Sequence, residues 1–226
     1  MSSLHLPSLK LISIHIPKTA GTSFRNILND VYGKESVLRV DITEYDELEY
    51  YCNINEIPRA KAKIHAEKVQ VLHGHFQLSK IQQVFSWNID VPVITWIRDP
   101  VSRVVSNYLY LKKILSGKLN SKYTDAKLLS ELMVDLKQFA IRDINRNRAT
   151  RFLENKAPGE FAFVGRTESF DKDLMQLKHI MGWGDLTLYH HNNTGYESNP
   201  ELSEEIEELI AINNAEDIRF YKSIEK

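Results

Sequence analysis

ISIHIPKTAGTSFRNIL, residues 12–28, runs from an apolar stretch into a helical pattern through a knot of Pro, Lys, Thr, Ala, Gly, Thr and Ser. Residues 10–16 (KLISIHI) read as a buried strand, and Phe24, Ile27, Leu28 and Val31 follow at helical spacing with Gly33 as the stop. Residues 17–23 therefore join a strand to the start of a helix, where unpaired N–H groups and the helix dipole favour an anion. Gly21 allows close backbone approach, Thr19, Thr22 and Ser23 add hydroxyls, and Lys18 adds a mobile positive charge. The nucleoside-triphosphate loop reads GxxxxGK[ST], whereas here the lysine precedes the glycine, and no acid ends an apolar strand in position to hold magnesium. Taken alone, the stretch is also compatible with an ordinary capped strand–helix turn.

Outward from this loop, residues 37–40 give a short strand and 68–76 (KVQVLHGHF) a second likely one. Residues 91–97 (VPVITWI) give the clearest. Asp99 can cap the following helix with Pro100 in its first turn, and Val101, Val104, Val105, Tyr108 and Leu111 mark its buried face. Residues 41–65 read as mixed and partly helical, 115–126 as a loop and 127–154 as largely helical. Residues 161–170 give a strand and a helix start, 185–200 a loop, and a charged helix from about Leu202 closes the chain. Strands alternating with helices predict an α/β fold, a mostly parallel sheet covered on both faces, in one domain spanning residues 1–226. Ligands bind such sheets at the carboxyl ends of the strands.

A second anion site is written in ITWIRDPVSRVVSNY, residues 94–108. Arg98 leaves a strand where the sheet ends, Ser102 and Ser106 share a helical face, and Arg103 lies beside them. A guanidinium fork with a converging hydroxyl suits a phosphate monoester, although RDP before a helix is also a plain capping signal. Two such sites fit a nucleotide charged at both ends of its ribose.

Composition sets the outer limits. The 226 residues suit one generous domain, with 42% hydrophobic and 26% charged residues, so wholesale disorder is excluded. With 29 basic and 30 acidic residues the net charge is -1, which gives no broad footprint for nucleic acid or a membrane surface. Cys52 is the single cysteine, so no internal disulfide forms and a cytosolic setting is the simpler expectation. The first ten residues do not read as a signal peptide, and no run of about 18 apolar residues predicts a membrane span.

PKTAGTSFRNIL and RDPVSRVVSNY resemble the 5′-phosphosulfate and 3′-phosphate motifs of sulfotransferases that use 3′-phosphoadenosine 5′-phosphosulfate (PAPS). The wording is most similar to the carbohydrate enzymes, particularly the heparan sulfate 2-O-sulfotransferase group, with its PKT loop and HGH segment. VGRTESFDKDL, residues 164–174, resembles a later family segment. The resemblance runs from about residue 11 to 175 and implies a sulfotransferase fold with a P-loop-like nucleotide cradle. It also implies metal-free transfer of a sulfuryl group from PAPS to a hydroxyl (the EC 2.8.2 class), on a glycan or another small molecule. Lys18 would neutralise the leaving 5′-phosphate, and Thr19, Ala20, Gly21, Thr22 and Ser23 would wrap the 5′ end. Arg98 and Ser106 would take the 3′-phosphate, and Arg166 would lie near the adenine. The animal members act in the Golgi lumen behind an anchor that is not read here.

The attacking hydroxyl needs a base that titrates near neutrality. His73 and His75 flank Gly74 at the end of a strand, and alternation points both the same way. The resemblance places the base at the second, so His75 is the catalytic candidate and His73 its support. His15 reads as a buried, hydrogen-bonded strand residue, and His190 and His191 as a loop pair able to touch acceptor. No spacing of Cys, His and acids makes a zinc site. Arg142, Arg146, Arg148 and Arg151 read as a solvated helix face, or as contacts for an acidic acceptor if they face the cleft. Two other functions fit parts of the pattern: a nucleotide kinase or NTPase, which lacks its magnesium ligand and its lysine after the glycine, and a nucleotide-binding module without turnover.

Overall fold

A computed structural model describes residues 3–41, 65–88, 90–118, 126–187 and 202–224. His190, His191, Cys52 and the greater part of the 41–65 and 185–200 segments lie outside the described residues. The chain forms two compact units, one of residues 1–97 and 149–195, the other of residues 98–148 and 196–226.

In the first unit, β1 (Leu4–Leu6) pairs in parallel with β5 (Phe85–Trp87). A separate five-stranded sheet holds β2 (Leu11–His15), β3 (Val37–Arg39), β4 (Val71–Gly74), β6 (Val93–Ile97) and β7 (Phe163–Arg166). Its order is β3-β4-β2-β6-β7, and every neighbouring pair is parallel. Strand β2 is central, and Leu11, Ile12, Ser13 and Ile14 are all buried, which is why its sequence reads as a near-continuous apolar run. Helix α1 (Gly21–Tyr32) packs on β3 and β4, and its Phe24, Ile27 and Leu28 enter the core with Val71, Ile94 and Trp96. A short α2 (Leu78–Gln82) follows β4.

From β2 the chain moves out to the edge strand β3, returns to β4, and only then crosses to β6 on the far side. The order of connection reverses at β2, so its carboxyl end is a topological switch point, the usual place for a ligand in this architecture.

In the second unit, α3 (Pro100–Lys118) begins where Asp99 Oδ1 accepts the Ser102 N–H at 2.8 Å, the cap anticipated from sequence. Val104 and Val105 pack with Leu136, Phe139, Ala140 and Ile210. The helix outruns its expected end at residue 115, because Leu115 continues the apolar stripe and is buried. Residues 127–154 are not one helix. They break into α4 (Ala126–Met133), α5 (Leu136–Ala140) and α6 (Arg148–Phe152). Asp135 starts α5 with a capping box, and Asn147, Glu154 and Asn155 take positive φ. After β7, the first unit adds α7 (Phe170–Met181), which packs on that strand.

The closing helix is also divided, into α8 (Glu204–Asn213) and α9 (Ala215–Lys222). The break is Asn214, whose buried Oδ1 accepts from Asn147 N at 3.1 Å and Arg103 Nη2 at 3.3 Å. Among the described residues, no helix is long and apolar enough to cross a membrane.

Candidate active site

The loop after β2 departs from an ordinary strand–helix turn in its backbone. Lys18 and Ala20 both have positive φ, at 73° and 59°, although neither is glycine. Such conformations cost on the order of 1–3 kcal/mol each and persist where the surroundings over-determine them. Ala20 is the N-cap of α1, where an alanine offers no side-chain oxygen to the first N–H groups, and the first turn carries no acid. The sequence places three hydroxyl residues around this position and none on it. An anion delivered to the loop would meet backbone donors and the positive end of the helix dipole.

Thr19 is fully buried, and its hydroxyl donates to the Ile16 carbonyl at 2.8 Å. Its side chain therefore ties the loop together, and only its backbone faces the role expected of it. Gly21 is required for a reason that the sequence does not show. A Cβ at this position would lie 1.9 Å from Nε2 of His15, so the imidazole itself favours a glycine here.

That imidazole organises the histidine cluster. His15 is half-buried, with its ring stacked on His75 at 4.2 Å between centroids and on His73 at 5.4 Å. The expected hydrogen-bonded core histidine is thus a ring packed on rings. Desolvation, then the neighbouring His75 and His73, hold its pKa well below the usual 6.5. His73 is buried and pushed down to about 3, chiefly by desolvation and then by His75. Its Nδ1 lies 3.0 Å from Ser13 Oγ. A backbone hydrogen bond with Gly21 favours its protonated form, as a carbonyl accepting from the ring does. A neutral, immobilised His73 supports the cluster and does not itself exchange protons near neutrality.

His75 stands just past β4, half-buried, with the edge of Phe152 against it at 6.4 Å. Its Nδ1 is 2.7 Å from the His15 carbonyl oxygen. A carbonyl only accepts, so Nδ1 carries the hydrogen and the lone pair of the neutral ring lies on Nε2. The His75 main-chain N–H donates to Asp41 Oδ1 at 3.1 Å, and Arg39 pairs with the other oxygen of that carboxylate. Gly74, with φ of 156°, lets β4 pass β3 closely, since a Cβ there would lie 1.9 Å from the Val40 carbonyl oxygen.

The sheet register brings these residues to one edge. Arg39 pairs with His73, Ile14 with Gly74, His15 with Trp96, and Ile97 with Arg166. The carboxyl edge of the first unit thus collects Lys18, His15, His75 and Arg166. Arg166 ends β7, with its N–H donating to the buried Asp173 carboxylate at 2.7 Å.

In the second unit Arg98 precedes the capped start of α3, and Ser102 and Ser106 are half-buried one turn apart on that helix. Arg103 does not join them. It is buried, with Nη2 donating to the Asn145 carbonyl at 3.2 Å and lying 3.7 Å from Asp217 Oδ2. The four arginines expected to share a solvated helix face are dispersed. Arg142 forks onto Glu131 at 2.8 and 3.3 Å, Arg146 pairs with Asp143, Arg148 is buried on the Ile144 carbonyl, and Arg151 is exposed. Among the described residues, no group of three or more His, Cys, Asp or Glu is placed to hold a metal ion.

A strained, uncapped loop at the switch point, with a lysine and a tautomer-fixed histidine at the same sheet edge, is a candidate site for group transfer from an anionic donor. The sulfotransferase family model matches residues 4–218, and the chain belongs to that family. No curated protein matches it. Among solved structures it is similar to mouse sulfotransferase SULT7A1 complexed with PAP. The TM-score is 0.43 and the identity 11%, over 96% of this chain and 68% of that one.

Proposed function

We propose that this sulfotransferase moves the sulfuryl group of PAPS to a hydroxyl of a carbohydrate acceptor, with His75 as the base. The observation that carries the reading is the 2.7 Å contact from His75 Nδ1 to the His15 carbonyl, which leaves the lone pair on Nε2 at the edge that holds the Lys18 loop. As the acceptor oxygen bonds to sulfur, the bond from sulfur to the 5′-phosphate oxygen breaks in line, and the hydroxyl proton passes to Nε2. Charge then grows on the leaving phosphate, where Lys18 and the first N–H groups of α1 stabilise it. Ala20, Gly21, Thr22 and Ser23 line this end of the donor. Arg98 and Ser106 take the 3′-phosphate, and Arg166 lies near the adenine. The products are the sulfated acceptor and 3′-phosphoadenosine 5′-phosphate (PAP).

Thermal unfolding with PAP tests the donor. Saturation at about 100 times Kd adds about 2.7 kcal/mol, which for a chain of this size raises Tm by roughly 5–10 °C. The rise is expected with PAP, unaffected by EDTA and lost in Arg98→Ala, with little rise from AMP. A rise only with ATP and magnesium would overturn the reading.

A further inference from the structure

We propose that His15 is the positioning residue for the base, its carbonyl selecting the tautomer of His75 and its ring holding the plane of that imidazole. The inference rests on the assignment of His75 as base, and its geometry stands on three independent contacts.

The first is the ladder. Pairing between β2 and β4 ends at Ile14 with Gly74, so the next carbonyl on that side, from His15, lies beyond the last paired residue and receives the imidazole N–H of His75 instead. Because β2 is flanked by β4 and β6, this acceptor sits on a strand paired along both edges. The second is the stack. The His15 and His75 rings lie 4.2 Å apart with 26° between their planes, and His73 backs the same ring at 5.4 Å and 11°. Rotation of the His75 ring about its final torsion would carry Nδ1 away from the carbonyl and put Cδ2 in its place, freeing the tautomer, and the flat face of His15 opposes that turn. The third is the seat. Gly21 leaves room for the His15 ring where any side chain would strike it.

The charged groups around the cluster are Arg25 from α1, Arg39 from β3 and Asp41, whose carboxylate accepts the His75 main-chain N–H. Burial and these arginines keep the His15 ring neutral, so it stacks without repelling the proton that His75 receives during transfer.

Imidazole nitrogen chemical shifts of histidine-labelled protein report the tautomer directly, and His75→Gln assigns the signals. At neutral to mildly alkaline pH, wild-type His75 is expected to show a protonated Nδ1 and an unprotonated Nε2. His15→Leu keeps volume but removes the flat ring, and is expected to give a mixture with the Nε2–H form. His15→Phe restores a flat ring and is expected to return the single pattern. An Nε2–H tautomer in the wild type, or a wild-type pattern in His15→Leu, would overturn the proposal. If His15→Leu fails to fold, the wild-type tautomer still decides. These spectra need neither donor nor acceptor, so their outcome is separate from the PAP stabilisation that tests the enzymatic reading.

Discussion

One nitrogen of His75 is committed to the His15 carbonyl, so in the proposed reaction the proton of the attacking hydroxyl goes to the other. Removing that acceptor in His75→Ala is expected to lower turnover by about 10²–10⁴-fold while leaving the PAP-induced rise in Tm intact. Lys18→Ala is expected to lower turnover by about 10²–10³-fold through lost stabilisation of the leaving phosphate. Release of PAP against a panel of hydroxylated glycans measures both. Loss of the Tm rise in His75→Ala would instead make that residue part of donor binding. At this scale the sequence was informative about identity and silent about contacts. HGH offers a candidate pair, but where each member falls, with His73 buried against Ser13 and His75 at the edge, depends on atoms 60 residues away. Arg103 is the opposite case. Its spacing set it beside Ser102 and Ser106, and its partners at Asn145, Asn214 and Asp217 were out of reach of any local pattern.

Elements declared themselves where a local rule was sufficient. The apolar runs of β2 and β6, the Gly33 stop of α1 and the Asp99 cap of α3 all rest on nearest neighbours in sequence, and the structure follows them. Strands β1 and β5 were not legible, since three residues each give no period and their pairing joins positions 81 apart. The division of α8 from α9 was hidden for the same reason, because Asn214 reads as helix until Arg103 and Asn147 bond to it. The two kinds of contact differ in energetic weight. Asp99→Ala removes one partly exposed cap and is expected to lower stability by about 1 kcal/mol. Asp217→Asn strands the buried Arg103 charge between α3 and α9 and is expected to lower it by about 3 kcal/mol or more. Urea midpoints at constant slope compare them, and equal losses would show that the buried pair is not energetically coupled.

Over the whole molecule a net charge of -1 conceals local positive charge, with Arg25 and Arg39 beside the histidines and Lys18 and Arg166 elsewhere in the first unit. Burial of the histidines at this edge predicts sensitivity to acid. Burial depresses His73 to about 3 and lowers His15 well below 6.5, so in the window between those values the unfolded chain binds protons that the folded one refuses. Stability from this source is whole above about pH 6.5 and drains as pH falls, by up to about 1.4 kcal/mol per pH unit for each histidine. Tm measured from pH 7.5 down to 5 is expected to drop steeply, and His73→Gln to flatten the slope. An unchanged slope in that variant would assign the acid sensitivity elsewhere. None of this was visible in the composition, because it arises from where His15 and His73 fall relative to water, not from how many histidines there are.

The imidazole of His15 occupying the place of a side chain at Gly21 also constrains the history of this loop. A bulkier residue at 21 would strike that ring, so it fits only if the ring moves or position 15 shrinks. Substitutions at 15 and 21 are thus expected to be coupled, each tolerated better beside a matching change at the other.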